Sequence, residues 1–453
     1  MGASATLAKY GANLSFDKLP PNVVQAAKER ILDTIGVATG GSQTEHVRQV
    51  VNFVRMLGGR EEARIIGTNM KTNMPNAALA NGVMAHSIDF DDTHRFLHPG
   101  CGVTTAALAV GEKHKVSGQE FMVAVVAGYD VAIRISLAVG LSHRYRGFHP
   151  TATCNSFGAA VASGKLMGFT EEQLVNALGI TATLTSGITQ YRYDGSRIKH
   201  LHGGRSAQNG VMAALLTKEG FSGPLQGVEG KFGFCRVLSD ECDLNKIEEG
   251  LGEVFEIANT DLKPYPSCRQ THNPVDLTIS LVSKHDIPAG QIAKIEVMTY
   301  DYTFNCEWLI ETGPCETPLE AMLNIPYCMA AAAKDQVLTL ASFTEDKLKS
   351  PEIQDIARKI EFHEDKDYSQ SYPDQRNCLV RITTIDGKTY EAHAINAKGH
   401  RSNPMSKDEI ICKFQSLSYP VLGEVKGDKV VSLLSKLEEV DNIAKLSEML
   451  SIG

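Results

Sequence analysis

The segment Ala77-Ala78-Leu79-Ala80-Asn81-Gly82-Val83-Met84-Ala85 constrains the fold of this chain more than any other stretch. Its small residues fall on several faces of a helix, which requires close packing from more than one side. Two further helical segments, Thr104–Lys115 and Thr151–Met167, are rich in the same small residues. With 453 residues the chain is ample for a large core, and length alone suggests about three domains.

Local signals place more helices in the first half. Asn22 is a cap for a helix with apolar Val23, Ala27, Ile31 and Ile35 that ends near Gly40. Ser117 with Glu120 forms a capping box before an apolar run reaching Val139, and Thr170 with Gln173 forms another before Leu174–Leu184. The character changes at Asp261-Leu262-Lys263-Pro264-Tyr265-Pro266, where two prolines interrupt helix and mark a domain boundary. Beyond it Ile295–Tyr300 reads as a strand, and Cys378–Thr384 and Thr389–Ile395 flank the hairpin signal Asp386-Gly387. Helix returns after Asn403-Pro404-Met405-Ser406, with Ser406 and Glu409 as a capping box, and Val430–Leu450 reads as one amphipathic helix.

The formal net charge is -8, with 43% hydrophobic and 22% charged residues. That balance argues against general affinity for nucleic acid or anionic membranes, so affinity for anions must be local. No apolar run approaches the roughly 20 residues of a membrane span. Ten scattered cysteines without a Cys-x-x-Cys pair point to reduced thiols and a cytoplasmic protein.

Local basic features are present. His98 precedes Pro99 and His149 precedes Pro150. Proline disfavours helical backbone at the residue before it, so each imidazole sits on an extended bend in front of a helix, where backbone N–H groups attract anions. Lys199-His200-Leu201-His202-Gly203-Gly204-Arg205 reads as a third basic loop, feeding a helix over Ser206–Thr217. Lysine there pairs with a carboxylate and stabilises developing charge, and histidine suits proton transfer near neutral pH. Lys263 sits at the domain junction, a frequent place for pockets. Tyr191-Arg192-Tyr193 adds a cation and phenols, or is simply an exposed loop.

Asp89-Phe90-Asp91-Asp92-Thr93-His94 concentrates three carboxylates, a hydroxyl and an imidazole. Three readings compete: Mg²⁺ ligation, as on the aspartate-rich helices of all-α isoprenoid synthases; a metal-free acid–base set that orients His98; or capping of the next element. A second aspartate-rich helix would favour metal, and none is found. His-Glu-x-x-His spacing, dinucleotide fingerprints and Walker loops are also absent.

Taken together, Asp89-Phe90-Asp91-Asp92-Thr93, His98-Pro99-Gly100, Gly147-Phe148-His149-Pro150-Thr151, Lys199-x-Leu201-His202-x-Gly204, Lys263-Pro264-Tyr265-Pro266 and Lys398-Gly399-His400 with Asn403-Pro404-Met405-Ser406 resemble the MmgE/PrpD family. That family includes 2-methylcitrate dehydratase, cis-aconitate decarboxylase and iminodisuccinate epimerase. The resemblance covers nearly the whole chain. It implies a mainly α fold, with an all-helical domain over residues 1–262 and 403–453 and an α+β lid over 263–402. It also implies a homodimer and chemistry without cofactor or metal. Asp89, His98, His149, Lys199 and Lys263 match catalytic positions, and Thr93, His202 and Tyr327 substrate-binding ones. Cys268 stands where the decarboxylases carry a histidine, His272 lies further along, and the Thr93–His98 spacing is shorter than theirs. The resulting expectation is a hydro-lyase acting on a 2-methylcitrate-like polycarboxylate. Decarboxylation or epimerisation in the same pocket is the alternative; a Mg²⁺-dependent helical synthase or an inactive binding paralogue stands further off.

Overall fold

Helix starts in this chain are set by proline and by side-chain caps. The computed structural model describes residues 2–452. Helix α1 (Pro21–Gly41) begins at a proline, and Asn22 lies inside its first turn rather than capping it. Asn73 caps α2 (Met74–His86) by accepting from the Asn76 N–H. Helices α3 (Pro99–His114) and α5 (Pro150–Leu166) begin directly at the two His-Pro bends, so His98 and His149 are themselves the N-cap residues. The Ser117–Glu120 box opens α4 (Gly118–Tyr145), and the Thr170–Gln173 box opens Glu171–Leu184.

Helix α6 (Ile198–Lys218) corrects the sequence reading of its region: Lys199–Arg205 is the first two turns of a helix, not a loop. The two glycines of this segment serve helix packing. A Cβ on Gly204 would sit 2.3 Å from the Leu79 carbonyl oxygen, and one on Gly82 would sit 2.7 Å from the Gly204 Cα. Helices α2 and α6 therefore cross backbone against backbone, which offsets the poor helix propensity of glycine.

These helices share one hydrophobic core that runs from Ala3 to Leu262 and takes up Ile410–Leu450 from the chain end. A second core, from Val275 to Ile382, packs helices on a four-stranded sheet. Its strands are β1 (Ile292–Thr299), β2 (Ile360–Glu364), β3 (Cys378–Thr384) and β4 (Thr389–Ala394), in the order β2-β1-β3-β4. Only the β1–β2 pair is parallel. The Ser406–Glu409 box opens α7 (Lys407–Leu422), which returns to the helical body against α1.

Two further expectations change. Val430–Leu450 is not one helix: Glu424–Ser435 and Ala444–Met449 are separated by an irregular stretch. There the chain leaves helix to bond the Val116–Gly118 turn, the Gly118 N–H donating to Val440 O and the Ile443 N–H to Val116 O. Helix α4 is long and apolar enough to cross a membrane, but 89% of that window is buried inside the protein, where it is a core helix.

The two cores meet at residues 261–263. Thr93 and Asp261 exchange backbone hydrogen bonds of 2.9 and 2.7 Å. The Asp261 carboxylate holds Arg269 at 3.4 Å and accepts from the Arg401 N–H at 3.1 Å. The aspartate-rich loop after α2 is thus stitched to the junction and faces the cleft between the cores.

Candidate active site

The three aspartates of that loop have three different partners. Asp89 adopts φ +48°, a left-handed conformation uncommon outside glycine, which stores strain at a point that faces the cleft. Its Oδ1 accepts from Lys199 Nζ at 2.7 Å and Lys263 Nζ at 2.8 Å. Burial alone would raise this carboxyl, but the two lysines hold it well below the usual range. Asp91 bridges two imidazoles, with Oδ2 2.8 Å from His86 Nδ1 and Oδ1 3.3 Å from His98 Nδ1. Against its burial, those rings keep it ionised. Asp92 accepts from the Gly100 N–H at 3.0 Å and so caps α3. Burial and the nearby Asp33 and Asp91 push its carboxyl up to about 7. The carboxylates do not converge on one point: one faces two lysines, one two imidazoles and one the start of a helix.

His86, Asp91 and His98 place ligand atoms within 4.8 Å of one another. Here Asp91 and His86 are joined by a hydrogen bond of 2.8 Å, so the carboxylate orients the imidazole.

The second imidazole unit comes from α5 and α6. His149 Nδ1 lies 2.9 Å from His202 Nδ1, so one ring donates and the other accepts. Burial, His202 and His86 put His149 well below the ordinary histidine range. Burial brings His98 down to about 4 despite Asp91, and His202 to about 4. These rings are neutral at neutral pH and able to accept protons. Lys199 keeps its proton, because Asp89 outweighs the burial that would lower it.

Asp89, Thr93, His98, His149, Lys199 and Lys263 line one cavity of about 60 Å³ between the two cores. His202 stands behind His149. Tyr327 is not brought to the cavity: its hydroxyl donates to the Ser342 carbonyl at 2.6 Å inside the second core, so the substrate-binding assignment of Tyr327 is not supported. Its Ile-Pro-Tyr setting marks a helix start, with Asn324 capping Ile325–Asp335. Cys268 does line the cavity, and His272 does not replace it, being buried with Nε2 3.2 Å from the Ser267 carbonyl. Tyr191 and Arg192 are cavity residues, while Tyr193 is exposed. Sequence reasoning missed His86, Arg144, Gln270 and Trp308. The histidine richness of the first half hinted at His86; nothing local marks the others. A larger vestibule of about 350 Å³ adjoins the cavity and shares Tyr191, Arg192, Trp308 and Leu323 with it.

Neutral imidazoles beside lysines suit proton transfer at an atom next to a bound anion. Fold and cleft therefore define a mainly helical protein with a smaller α+β part and a cavity of acid–base residues between the two cores. The chain belongs to the MmgE/PrpD family: residues 5–246 match the MmgE/PrpD N-terminal domain and residues 265–439 the C-terminal domain. It is 26% identical to a cis-aconitate decarboxylase of Aspergillus terreus (strain NIH 2624 / FGSC A1156) over 99% of this chain and 96% of that enzyme. It is 25% identical to the cis-aconitate decarboxylase of Homo sapiens over 96% and 92%. With the 2-methylcitrate dehydratase of Escherichia coli (strain K12) it shares 23% identity over 72% of this chain and 71% of that enzyme.

Proposed function

We propose that the protein is a cofactor-independent lyase that moves a proton at the carbon α to a carboxylate of a di- or tricarboxylate, with 2-methylcitrate-like dehydration as its reaction. The carrying observation is that Lys199 and Lys263 share a single oxygen of Asp89. Two cations on one carboxylate leave a positive charge uncompensated, and a substrate carboxylate answers it. Removing the proton from the adjacent carbon builds a second negative charge, which the same lysines stabilise as it forms. His98, its Nδ1 turned to Asp91, presents Nε2 as the base. His149, backed by His202, is the second proton-transfer group. A polyanion raises both imidazoles on entering, so one of them holds the proton that the leaving hydroxyl needs.

Decarboxylation in the same pocket is the second reading, favoured by the nearly full-length match to decarboxylases. It needs one proton delivered and none removed from carbon, whereas dehydration needs one of each, which the paired imidazole units can supply. The cavity of about 60 Å³ shares residues with the adjoining vestibule of about 350 Å³, which gives a polycarboxylate a way in. We further propose a homodimer, in keeping with exposed Leu216, Phe221, Leu225 and Phe232 in one surface segment, with no nucleic-acid or membrane partner. Cytoplasmic residence is in keeping with ten free thiols.

The test is a screen of citrate, 2-methylcitrate, cis-aconitate and iminodisuccinate, followed by NMR in D₂O with and without EDTA. Conversion of 2-methylcitrate to its alkene, unaffected by EDTA, is the expected outcome. Absence of both turnover and deuterium exchange with all four compounds overturns the proposal. Loss on chelation with rescue by Mg²⁺ overturns its metal-free part.

A further inference from the structure

The cations of the cavity differ in whether an acidic side chain neutralises them. Lys199 and Lys263 share Asp89, Arg95 pairs with Asp374 at 2.8 Å, and Arg269 pairs with Asp261 at 3.4 Å. Among the described residues, no carboxylate lies within ion-pair distance of Arg144 or Arg192. Arg192 sits where cavity and vestibule meet, its guanidinium 5.6 Å from the Trp308 ring. Arg144 is held far more tightly. Its Nε and Nη2 both donate to the Tyr302 hydroxyl, at 2.9 and 2.6 Å, and its guanidinium carbon lies 4.2 Å over the Phe96 ring. Tyr302 is fixed in turn by stacking on Tyr372 at 5.2 Å. The phenol and the ring orient the guanidinium but bring no negative charge, and Nη1 has no hydrogen-bond partner among the described residues.

We propose that Arg144 is the anchor for a second carboxylate of the substrate, built independently of the Lys199–Lys263 site. A planar guanidinium matches a carboxylate edge to edge, and one already locked in place loses little freedom on binding. The inference rests on the polycarboxylate reading above and deepens it: the ligand carries at least two carboxylates, and Arg144 selects against compounds that lack the second. Tyr302 belongs to the α+β core and Arg144 to helix α4, so the anchor is built from both parts of the chain.

The test is calorimetric binding of unreactive propane-1,2,3-tricarboxylate and of its fragments glutarate and methylsuccinate. Wild type is compared with Arg144→Gln and Arg144→Lys, with folding checked by circular dichroism. One charge-assisted hydrogen bond corresponds to about 10- to 100-fold in affinity, which is the loss expected for Arg144→Gln on the tricarboxylate. The fragment that lacks the anchored group should weaken by less than about threefold, well below that range. Arg144→Lys keeps the charge without the fork, so it should also lose affinity for the tricarboxylate; it serves alone if the glutamine variant does not fold. Equal losses for all three ligands indicate a merely structural arginine and overturn the inference, as does undisturbed tricarboxylate binding in the variants. Wild type that binds none of the three overturns the polycarboxylate reading itself, and this inference with it.

Discussion

Asp91→Asn probes the device that sets the base. Asparagine is nearly isosteric but offers one oxygen where aspartate offers two, and its NH₂ cannot accept. Both contacts of Asp91 are to Nδ1 atoms, His86 at 2.8 Å and His98 at 3.3 Å. After substitution only one ring is served by an oxygen. The shorter contact keeps it, so His98 faces the NH₂, takes the other tautomer and carries its proton on Nε2, where it cannot act as a base. The 3.3 Å contact to His98 is an ion-pair distance, so what the substitution removes is the charge that orients this ring. Removing a positioned general base altogether costs about 10²–10⁴ in rate. A fall in kcat of about 10²–10³ is therefore expected. Asp91 does not line the cavity, so substrate affinity should change little. Single-turnover rates and calorimetric binding, on whichever substrate the screen identifies, separate the two. A folded Asp91→Asn enzyme with kcat within about threefold of wild type, against that range, refutes the relay.

Lys263→Ala should instead weaken binding by roughly one to two decades, since it removes a charge-assisted contact to the substrate carboxylate; unchanged affinity by calorimetry would displace the carboxylate from the lysine pair. NMR titration of ring carbons should find His98 ionising at about 4 in the free enzyme. Its folded value lies below the unfolded one of about 6.5, so its contribution to stability is complete above about pH 6.5 and is lost as pH falls through about 4. That loss is of order 3 kcal/mol, and a free-enzyme value at or above 6.5 contradicts the burial argument. Gly82→Ala would set a Cβ 2.7 Å from the Gly204 Cα and 2.9 Å from the Cys101 and Gly203 carbonyl oxygens, all of them backbone. Overpacking of about 1–3 kcal/mol should outweigh the roughly 1 kcal/mol gained in helix propensity; a melting temperature equal to wild type would show that α2 and α6 are not in tight contact.

Features that depend on neighbours in sequence were legible before the fold was known. The capping boxes at Ser117, Thr170 and Ser406 open helices, the His-Pro bends front helices, and Asp386-Gly387 turns a hairpin. Each is a bond or a dihedral restriction within a few residues, so the sequence determines it alone. Lys199–Arg205, expected as a loop, is helix: glycine locally weakens a helix, and only the crossing with α2 makes Gly204 the residue that fits. The roles of the aspartates were decided by tertiary structure. Asp89, Asp91 and Asp92 lie within four positions, yet Lys199 and Lys263, His86 and His98, and the Gly100 N–H give them different chemistry. Arg144 became a cavity residue, and Tyr327 did not, through contacts with Tyr302 and Ser342 that no local pattern encodes. A side chain's charge, tautomer and partner depend on what stands within 3–4 Å of it, and in this cleft those neighbours come from helices and loops far apart in the chain.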